Sequence, residues 1–325
     1  MKKIVYLALS LVFFYSCINE TSGKRLVSAS SGNINNLSVV VDNDLWEGSV
    51  GDAIREIYAA EIWGLPQQEP LFTLSQMPTV VFSDFATKNR IILKIEKGKP
   101  ADTKYLDNAY AKPQRVVLVT GNTNTEIIDQ LRTSAGKAIA VLKSTEIRER
   151  QRRTAKSLHS DTSIEQQLGI TLKIPSAYRI AKNENEFFWL RRDIKNGDLN
   201  LLIYEMPLDA IKEGDDAITD IIRMRDSIGK AYIPGPIDGT HMITEEAYTP
   251  FINTTIIANK PSFETKSTWE VKDAFMAGPF INYAIQDEVN NRLVVIEGFV
   301  FAPSTGKRDY IFELESIIKS VAFKS

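Results

Sequence analysis

Apolar residues form short continuous runs at several points of the chain, each bounded by polar or turn-forming residues. The runs RIILKIE from Arg90 and RVVLVTG from Arg115 are rich in β-branched side chains, which favour the pleated, half-buried surface of a sheet. We therefore predict strands at both places.

A second pattern spaces apolar residues three and four apart, which is typical of one buried helix face. The longest example follows Thr123, where Ile127, Leu131 and Leu142 share a face. Thr123 and Glu126 have the spacing of a capping box, so the sequence predicts a helix that begins here and runs towards the charged stretch EIRERQRRTAK.

In the second half of the chain, apolar runs lie close enough together to pair as hairpins. FFWLRRDI from Phe187 is followed by LNLLIYEM from Leu199, and FINYAIQD is followed by RLVVIEGFVFAP. Strand runs of this kind, mixed with helical segments, indicate an α+β fold with mainly antiparallel sheets packed with amphipathic helices, in two α/β sandwich-like halves.

The apolar periodicity stops in the charged stretch, and this break suggests the domain organisation. We predict a lipoprotein signal peptide at 1–16, a flexible tether at 17–36, an N-terminal α/β domain at 37–145, a charged helical linker at 146–160, and a C-terminal α+β domain at 161–325.

The first residues are typical of a secretion signal. Two lysines precede an apolar run of about twelve residues, which is too short to cross a bilayer of roughly 30 Å as a helix. Ser16-Cys17 ends the run, and the stretch resembles a lipobox in which Phe14 and Tyr15 are bulkier than usual. This resemblance implies acylation of Cys17, whereas the alternatives are a plain cleaved signal peptide or a buried N-terminal helix.

Composition narrows the range of functions. The 325 residues are 43% apolar and 25% charged, with a formal net charge of -2, and an isoelectric point near 5.9 argues against a nucleic-acid partner. One cysteine and two histidines exclude disulfide frameworks and Cys- or His-rich metal clusters. We assign no catalytic, cofactor-binding or metal-binding residue and expect no cofactor.

The spacing of Ile54, Ile57 and Tyr58 predicts another helix, from Val50, for which Ser49 and Asp52 resemble a capping box. Two features near this helix suggest ligands, and each has a simpler structural explanation. A cluster of carboxylates could attract a hard cation such as calcium, although it lacks the EF-hand pattern and also suits a solvated, capped turn. Its members are Asp42, Asp44, Glu47 and Asp52. The segment from Gly48 to Gly51 could cradle a phosphate, but it contains no complete nucleotide-binding motif.

Three further sets of residues leave alternatives open. A basic run could contact anionic lipid, or form a solvated helix or connector; it comprises Arg148, Arg150, Arg152, Arg153 and Lys156. The tryptophans could line a sugar or peptide groove, or fill cores; they are Trp46, Trp63, Trp189 and Trp269. His241 could act as a base, or belong to a turn entering a strand, and His159 lies in the predicted linker.

Several motifs resemble known families. The order IP, a strand with WLR, a middle helix, EGFVFAP and a final helix with ELESIIKS is similar to PsbP-like sandwiches over residues 168–323. From the SC start through FFWLRRD to ELESIIKS, the whole chain resembles a family of Bacteroidota lipoproteins that carries domain of unknown function 4837. This resemblance implies no catalytic residues.

The sequence therefore favours a non-catalytic envelope lipoprotein, anchored by acylated Cys17, that binds or scaffolds an envelope protein partner. We expect it in the outer membrane facing the periplasm, because Ile18-Asn19-Glu20 lacks the acidic signal for surface export. One alternative is an envelope hydrolase using the loop carboxylates Asp238, Glu245 or Glu246. Another is a periplasmic small-ligand carrier with an apolar pocket between sheet and helices.

Overall fold

The computed structural model describes residues 27–212, 214 and 216–324. The predicted signal peptide, Cys17 and the first half of the predicted tether lie outside these residues. Within the described part of the chain, no helix is long and apolar enough to cross a membrane.

From residue 27 onwards, the N-terminal half contains seven strands and three helices. The strands are β1 (Ser28–Ala29), β2 (Asn36–Val40), β3 (Thr73–Met77), β4 (Ile91–Lys97), β5 (Asp102–Asp107), β6 (Ala111–Lys112) and β7 (Arg115–Gly121). The helices are α1 (Asn43–Trp46), α2 (Ser49–Tyr58) and α3 (Asn124–Thr154).

Five of these strands form one sheet, in the order β3-β2-β4-β7-β5. All pairings are parallel except that between β5 and β7. Strand β4 begins with the consecutive buried apolar residues Ile91, Ile92 and Leu93, because both faces of the sheet are covered, as is usual for parallel strands. Helices α2 and α3 pack on one face, and a loop carrying Phe82 packs on the other.

The C-terminal half contains ten strands and three helices in the described residues. The strands are β8 (Ile170–Thr171), β9 (Arg179–Glu184), β10 (Phe187–Ile194), β11 (Gly197–Pro207), β12 (Met242–Thr244), β13 (Phe251–Ile257), β14 (Lys260–Val271), β15 (Met276–Asp287), β16 (Arg292–Phe301) and β17 (Ala322–Phe323). The helices are α4 (Ser163–Leu168), α5 (Ala217–Tyr232) and α6 (Arg308–Ile318).

Eight of these strands form an antiparallel sheet in the order β12-β14-β15-β16-β11-β10-β9, with β13 also paired to β14. Helices α4 and α6 cover one face of this sheet, and α5 covers the other. The predicted α+β fold with mainly antiparallel sheets is confirmed, and the parallel sheet of the N-terminal half is the exception within it.

Beneath α5, a charged pair is enclosed in the C-terminal half. The guanidinium of Arg225 lies 2.9 Å from the Glu297 carboxylate and 3.8 Å from the centre of the Phe280 ring. Asn282 donates a further hydrogen bond of 2.9 Å to Glu297. Both charged side chains are almost fully buried, so each depends on the other for neutralisation.

The two halves meet where the C-terminal part of α3 contacts α6, a contact that we call the joint. Glu315 accepts from Lys143 of α3 at 2.9 Å, and Gln151 donates to the backbone oxygen of Ser316 at 2.9 Å. Glu69, in the N-terminal half, accepts hydrogen bonds from the backbone N–H groups of Lys307 and Arg308, where α6 begins. Because α3 continues to Thr154, the charged stretch is helical; the predicted domain boundaries stay a prediction.

Candidate binding site at the edge of the C-terminal sheet

Strand β13 forms part of one edge of the large sheet. Among the described residues it pairs only with β14, so one side of its backbone makes no ladder hydrogen bonds. Its sequence, FINTTII, contains no charge and no proline, the usual devices that protect exposed sheet edges. Ile256 is 73% exposed. The strand therefore presents an unprotected template for pairing with another extended segment.

A groove of about 490 Å³ lies beside this edge. One wall consists of α3, with Ala140, Ser144 and Ile147, and the other is the end of β13 from Thr255 to Ala258. The groove is thus bounded by a rigid helix on one side and by a strand edge on the other, a shape that suits an extended chain.

Charged groups in this groove neutralise one another. Burial favours the protonated form of Glu315, but Lys143 and Lys319 outweigh it and hold the pKa of this carboxyl below its usual range. The pKa of Glu264 is likewise lowered, against the effect of burial, by Lys266 beside it. These side chains are therefore ionised and already paired within the protein.

At the start of β13, three exposed aromatic side chains form a cleft of about 400 Å³. Trp63 and Tyr248 are 69% and 64% exposed, and the Trp63 and Phe251 ring centres lie 4.6 Å apart. Thr268 also lines the cleft, and its buried hydroxyl makes no hydrogen bond within the described residues. We call these aromatic side chains and Thr268 the aromatic cleft.

The aromatic cleft is built from both halves of the molecule. Trp63 is carried by a loop of the N-terminal half that passes close to β14. Gly64 permits this approach: its φ is +85°, and an added Cβ would lie 3.0 Å from the Lys266 side chain. The cleft therefore exists only while the two halves are in contact.

The four tryptophans divide into three packed residues and one exposed residue. Trp269 is buried and donates to the Val300 backbone oxygen, Trp189 donates to Asn200, and Trp46 stacks against Arg55. Core packing explains these three, whereas Trp63 belongs to the aromatic cleft. The sequence offered no signal for Tyr248 or Phe251, because their proximity to Trp63 depends on contacts between the halves.

The loop carboxylates considered for hydrolysis do not form a single group. Glu245 and Glu246 lie close to Glu270 of β14, where burial and then the charge of Glu245 raise the pKa of the Glu270 carboxyl. Asp238 lies in an exposed turn and makes no hydrogen bond or ion pair to them in the described part of the chain. Glu270 was not among the predicted residues, since nothing in the sequence pairs β12 with β14.

The acidic turn and the adjacent glycines have structural roles. Asp42 accepts from the Thr79 backbone N–H at 3.1 Å, and Asp52 pairs with Arg55. Helix α2 is capped by Gly48 without a side-chain hydrogen bond, so the Ser49–Asp52 spacing does not form a capping box. A side chain on Gly51 would collide with the Trp46 carbonyl, so this glycine serves packing. Across residues 27–212, 214 and 216–324, no cluster of three or more His, Cys, Asp or Glu could hold a metal ion.

Three arginines of the basic run form ion pairs with glutamates of the same chain. Arg150 pairs with Glu313 across the joint, and Arg152 and Arg153 both bond Glu149. Arg148 and Lys156 are exposed. The run is therefore neither a freely solvated face nor an uninterrupted basic surface.

The two histidines make local contacts with nearby backbone. His159 accepts a hydrogen bond from the Asp161 backbone N–H at 3.3 Å, and His241 forms a bridge to Pro234 next to β12. The turn explanation for His241 therefore agrees with its position.

Fold and site together define an α+β protein of two sheet-and-helix halves with an unprotected sheet edge. A family model described as Domain of unknown function (DUF4837) matches residues 157–320, and a second, Domain of unknown function (DUF8532), matches residues 30–155. The chain belongs to the DUF4837 family, so the resemblance inferred from the sequence is confirmed at that level. Its PsbP-like and Bacteroidota components stay predictions.

Other comparisons add little. No curated protein matches the chain. Among solved structures, it is similar to LpqN of Mycobacterium tuberculosis, whose structure is described as that of a protein involved in cell envelope biogenesis. The match has 8% identity and a TM-score of 0.27, and covers 48% of this chain and 83% of LpqN. An identity and a TM-score this low support no conclusion about fold or function.

Proposed function

We propose that this protein is a non-catalytic cell-envelope lipoprotein, anchored by acylated Cys17, that binds an extended segment of a protein partner at β13. The observation that carries the proposal is the uncharged, unpaired edge of this strand beside the groove along α3. Addition of a strand to a free sheet edge is a recurring mode of peptide recognition, in which main-chain hydrogen bonds supply affinity.

The aromatic cleft gives this mode a site for specificity. Residues that dominate binding energy in protein interfaces are enriched in Trp and Tyr and act in pockets at the centre of the contact. Phe251 is both the first residue of β13 and a member of the cleft. A segment paired with β13 would therefore extend directly to the aromatic side chains.

The anchor rests on the sequence. The short apolar run, the two preceding lysines and Ser16-Cys17 together have the features of a lipoprotein signal. An outer-membrane position facing the periplasm follows from the residues after Cys17 and would present β13 to other envelope proteins.

A photo-crosslinking amino acid at position 256 tests the proposal in the native envelope. Position 289 is the matched control, because Val289 is 87% exposed but lies in the turn between β15 and β16. We expect a partner that crosslinks from 256 and not from 289. On addition of that purified partner, backbone amides of residues 251–257 should gain protection from hydrogen exchange.

Two variants then measure the contribution of each part. Ile256→Lys places a charge on the strand edge and should weaken binding by at least about tenfold. Trp63→Ala should weaken it by roughly 30-fold, the cost of losing an aromatic hot spot. Val289→Lys should leave binding unchanged. Binding that is insensitive to Ile256→Lys and gives no protection in β13 would contradict the proposal.

The carboxylates around Glu270 support a second candidate, the envelope hydrolase. A carboxyl with a raised pKa is what a general acid requires, and Glu245 lies beside it as a second carboxyl group. The test is incubation of the protein with isolated cell-wall and envelope glycans. A hydrolase should show turnover that Glu270→Gln lowers about 100-fold or more; absence of turnover on all substrates rejects this candidate.

A further inference from the structure

A second exposed apolar surface lies in the N-terminal half, in the loop formed by residues 78–89 between β3 and β4. Val80 and Phe85 are 87% and 82% exposed, and Val81 is 54% exposed. We call this segment the apolar loop. Exposed apolar side chains concentrated in one short loop are unusual unless that loop contacts another apolar phase.

The apolar loop is held in place by contacts beneath it. Phe82 packs on the second face of the N-terminal sheet and meets the Tyr110 ring edge-on at 5.3 Å. The Gln114 side chain donates to the backbone oxygens of Thr87 and Asn89 at 2.7 and 2.8 Å. The exposed side chains are thus presented outwards by a loop whose base is fixed.

Basic residues flank this surface. The Lys88 ammonium lies 4.9 Å from the centre of the Phe85 ring, and Lys112 is exposed on the neighbouring strand β6. Neither lysine forms an ion pair within the described residues, and Asp84 is the acidic residue in the loop itself. Apolar tips with lysines beside them are the composition that interfacial membrane-binding segments use.

The chain that leads from Cys17 enters the fold at the same place. Strand β1 pairs with β6, and the Ser31 N–H donates to the Lys88 backbone oxygen at 2.9 Å. Ten residue steps separate Cys17 from Val27. Even when fully extended, they span at most about 35 Å. Acyl chains on Cys17 would therefore hold this point of entry, beside the apolar loop, within about 35 Å of the bilayer.

We propose that the apolar loop docks on the lipid bilayer into which the acyl chains of Cys17 insert, with Val80, Val81 and Phe85 in the headgroup–acyl boundary. Lys88 and Lys112 would then face anionic headgroups. The inference rests on the proposed acylation and adds a defined orientation to it. Helix α3 covers the opposite face of the same sheet from the apolar loop. Docking therefore turns the groove between α3 and β13 away from the membrane.

The test uses the full, lipidated protein in vesicles of phosphatidylethanolamine and phosphatidylglycerol. Because the native chain has one cysteine, which acylation blocks, Phe85→Cys provides a unique thiol for a polarity-sensitive fluorophore. Phe275→Cys is the matched control, since Phe275 is fully exposed in the turn between β14 and β15. Emission is measured with and without lipids that carry a nitroxide near the headgroup.

The label at position 85 should shift to shorter wavelength and be quenched at least about twofold, as expected 5–10 Å into the boundary. The label at 275 should not change. Replacing both lysines, as Lys88→Glu with Lys112→Glu, should reduce quenching at 85. Equal emission at both positions in protein that floats with the vesicles would overturn the docking while leaving the anchor intact. Protein that does not float would reject acylation itself, and the docking with it.

Discussion

Arg225 and Glu297 are neutralised inside the C-terminal half, whereas Glu313 and Glu315 receive partners from α3 across the joint. The first pair lies between a helix and the centre of a sheet, and both side chains are at most 2% exposed. At the joint the two carboxylates are equally buried, but Lys143 and Arg150 remain 25% and 29% exposed. Both sets bury carboxylates, yet only the joint leaves its cations in contact with water.

This difference separates two structural roles. Removing one member of an enclosed pair leaves the other charge buried without a partner, which should destabilise the whole C-terminal half. At the joint, several partly solvated cations share each carboxylate, so the loss of one contact is partly replaced by water. We therefore expect the enclosed pair to maintain the C-terminal half and the joint to maintain the aromatic cleft between halves.

The largest effect should follow Arg225→Met, which removes the positive charge and keeps most of the side-chain volume. Glu297 would remain buried beside Asn282, and we expect a loss of about 3–5 kcal/mol in the free energy of unfolding. Urea denaturation monitored by circular dichroism measures it.

A second variant separates charge from packing. Adding Glu297→Gln to Arg225→Met removes the orphaned charge and should recover a large part of the loss. If Arg225→Met alone cost less than about 1 kcal/mol, the pair would not be the enclosed interaction described above.

Glu313→Gln tests the joint. The carboxylate accepts from the Tyr178 hydroxyl at 3.1 Å and pairs with Arg192 at 2.9 Å, in addition to Arg150. Its neutralisation should cost about 1–3 kcal/mol. Hydrogen exchange should show lost protection first in the C-terminal part of α3 and in α6, while β15 and β16 stay protected. A uniform loss over both halves would contradict a role confined to the joint.

Two buried carboxylates, Glu149 within the N-terminal half and Glu315 at the joint, should make the stability of the protein sensitive to acid. Burial by itself raises the pKa of Glu149, but hydrogen bonds from Arg152 and Arg153 hold it at about 2, and the pKa of Glu315 is also lowered. A carboxyl whose pKa is lowered in the folded state stabilises the protein at pH values above the pKa that it has in the unfolded chain, near 4.3. This stabilisation is lost as the pH falls towards the pKa of the folded state.

Between pH 5 and pH 3 we expect the contribution of Glu149 to the free energy of unfolding to fall by about 1 kcal/mol. The pKa shift alone would give a larger loss, but solvent screens the exposed arginine partners. Urea midpoints across this range measure the loss. The double variant Glu149→Gln with Glu315→Gln should show a smaller change with pH. An equal slope in both proteins would show that other groups cause the acid sensitivity.

These charges also show how far the sequence predicted the molecule. The apolar face of α6 and the hairpins of the C-terminal half follow from local spacing, and the structure contains them. Glu313 and Glu315 have the spacing of solvated helix residues, and no local pattern places Arg150 or Lys143 against them. Their burial depends on contacts between residues more than a hundred positions apart.

The candidate site shows the same limit. The run NTTIIAN has the β-branched composition of a strand, but its edge position arises because β12 and β13 pair with different parts of β14. The sequence did not decide between a groove and a core for Trp63, because its exposure depends on where the halves meet. The hydrophobic pattern likewise did not predict that the N-terminal sheet is parallel. A short buried apolar run indicates a strand but does not show whether its neighbours are parallel or antiparallel.

The smallest effect should come from an ion pair of the same chemistry on the surface. Arg179 and Asp193 approach to 3.3 Å, and their side chains are 58% and 64% exposed. Asp193→Asn removes the charge but leaves both groups hydrated, so we expect a change below about 0.5 kcal/mol. Urea denaturation in parallel with Glu313→Gln measures the contrast. Should Asp193→Asn cost as much as Glu313→Gln, burial would not be what distinguishes the joint from the surface.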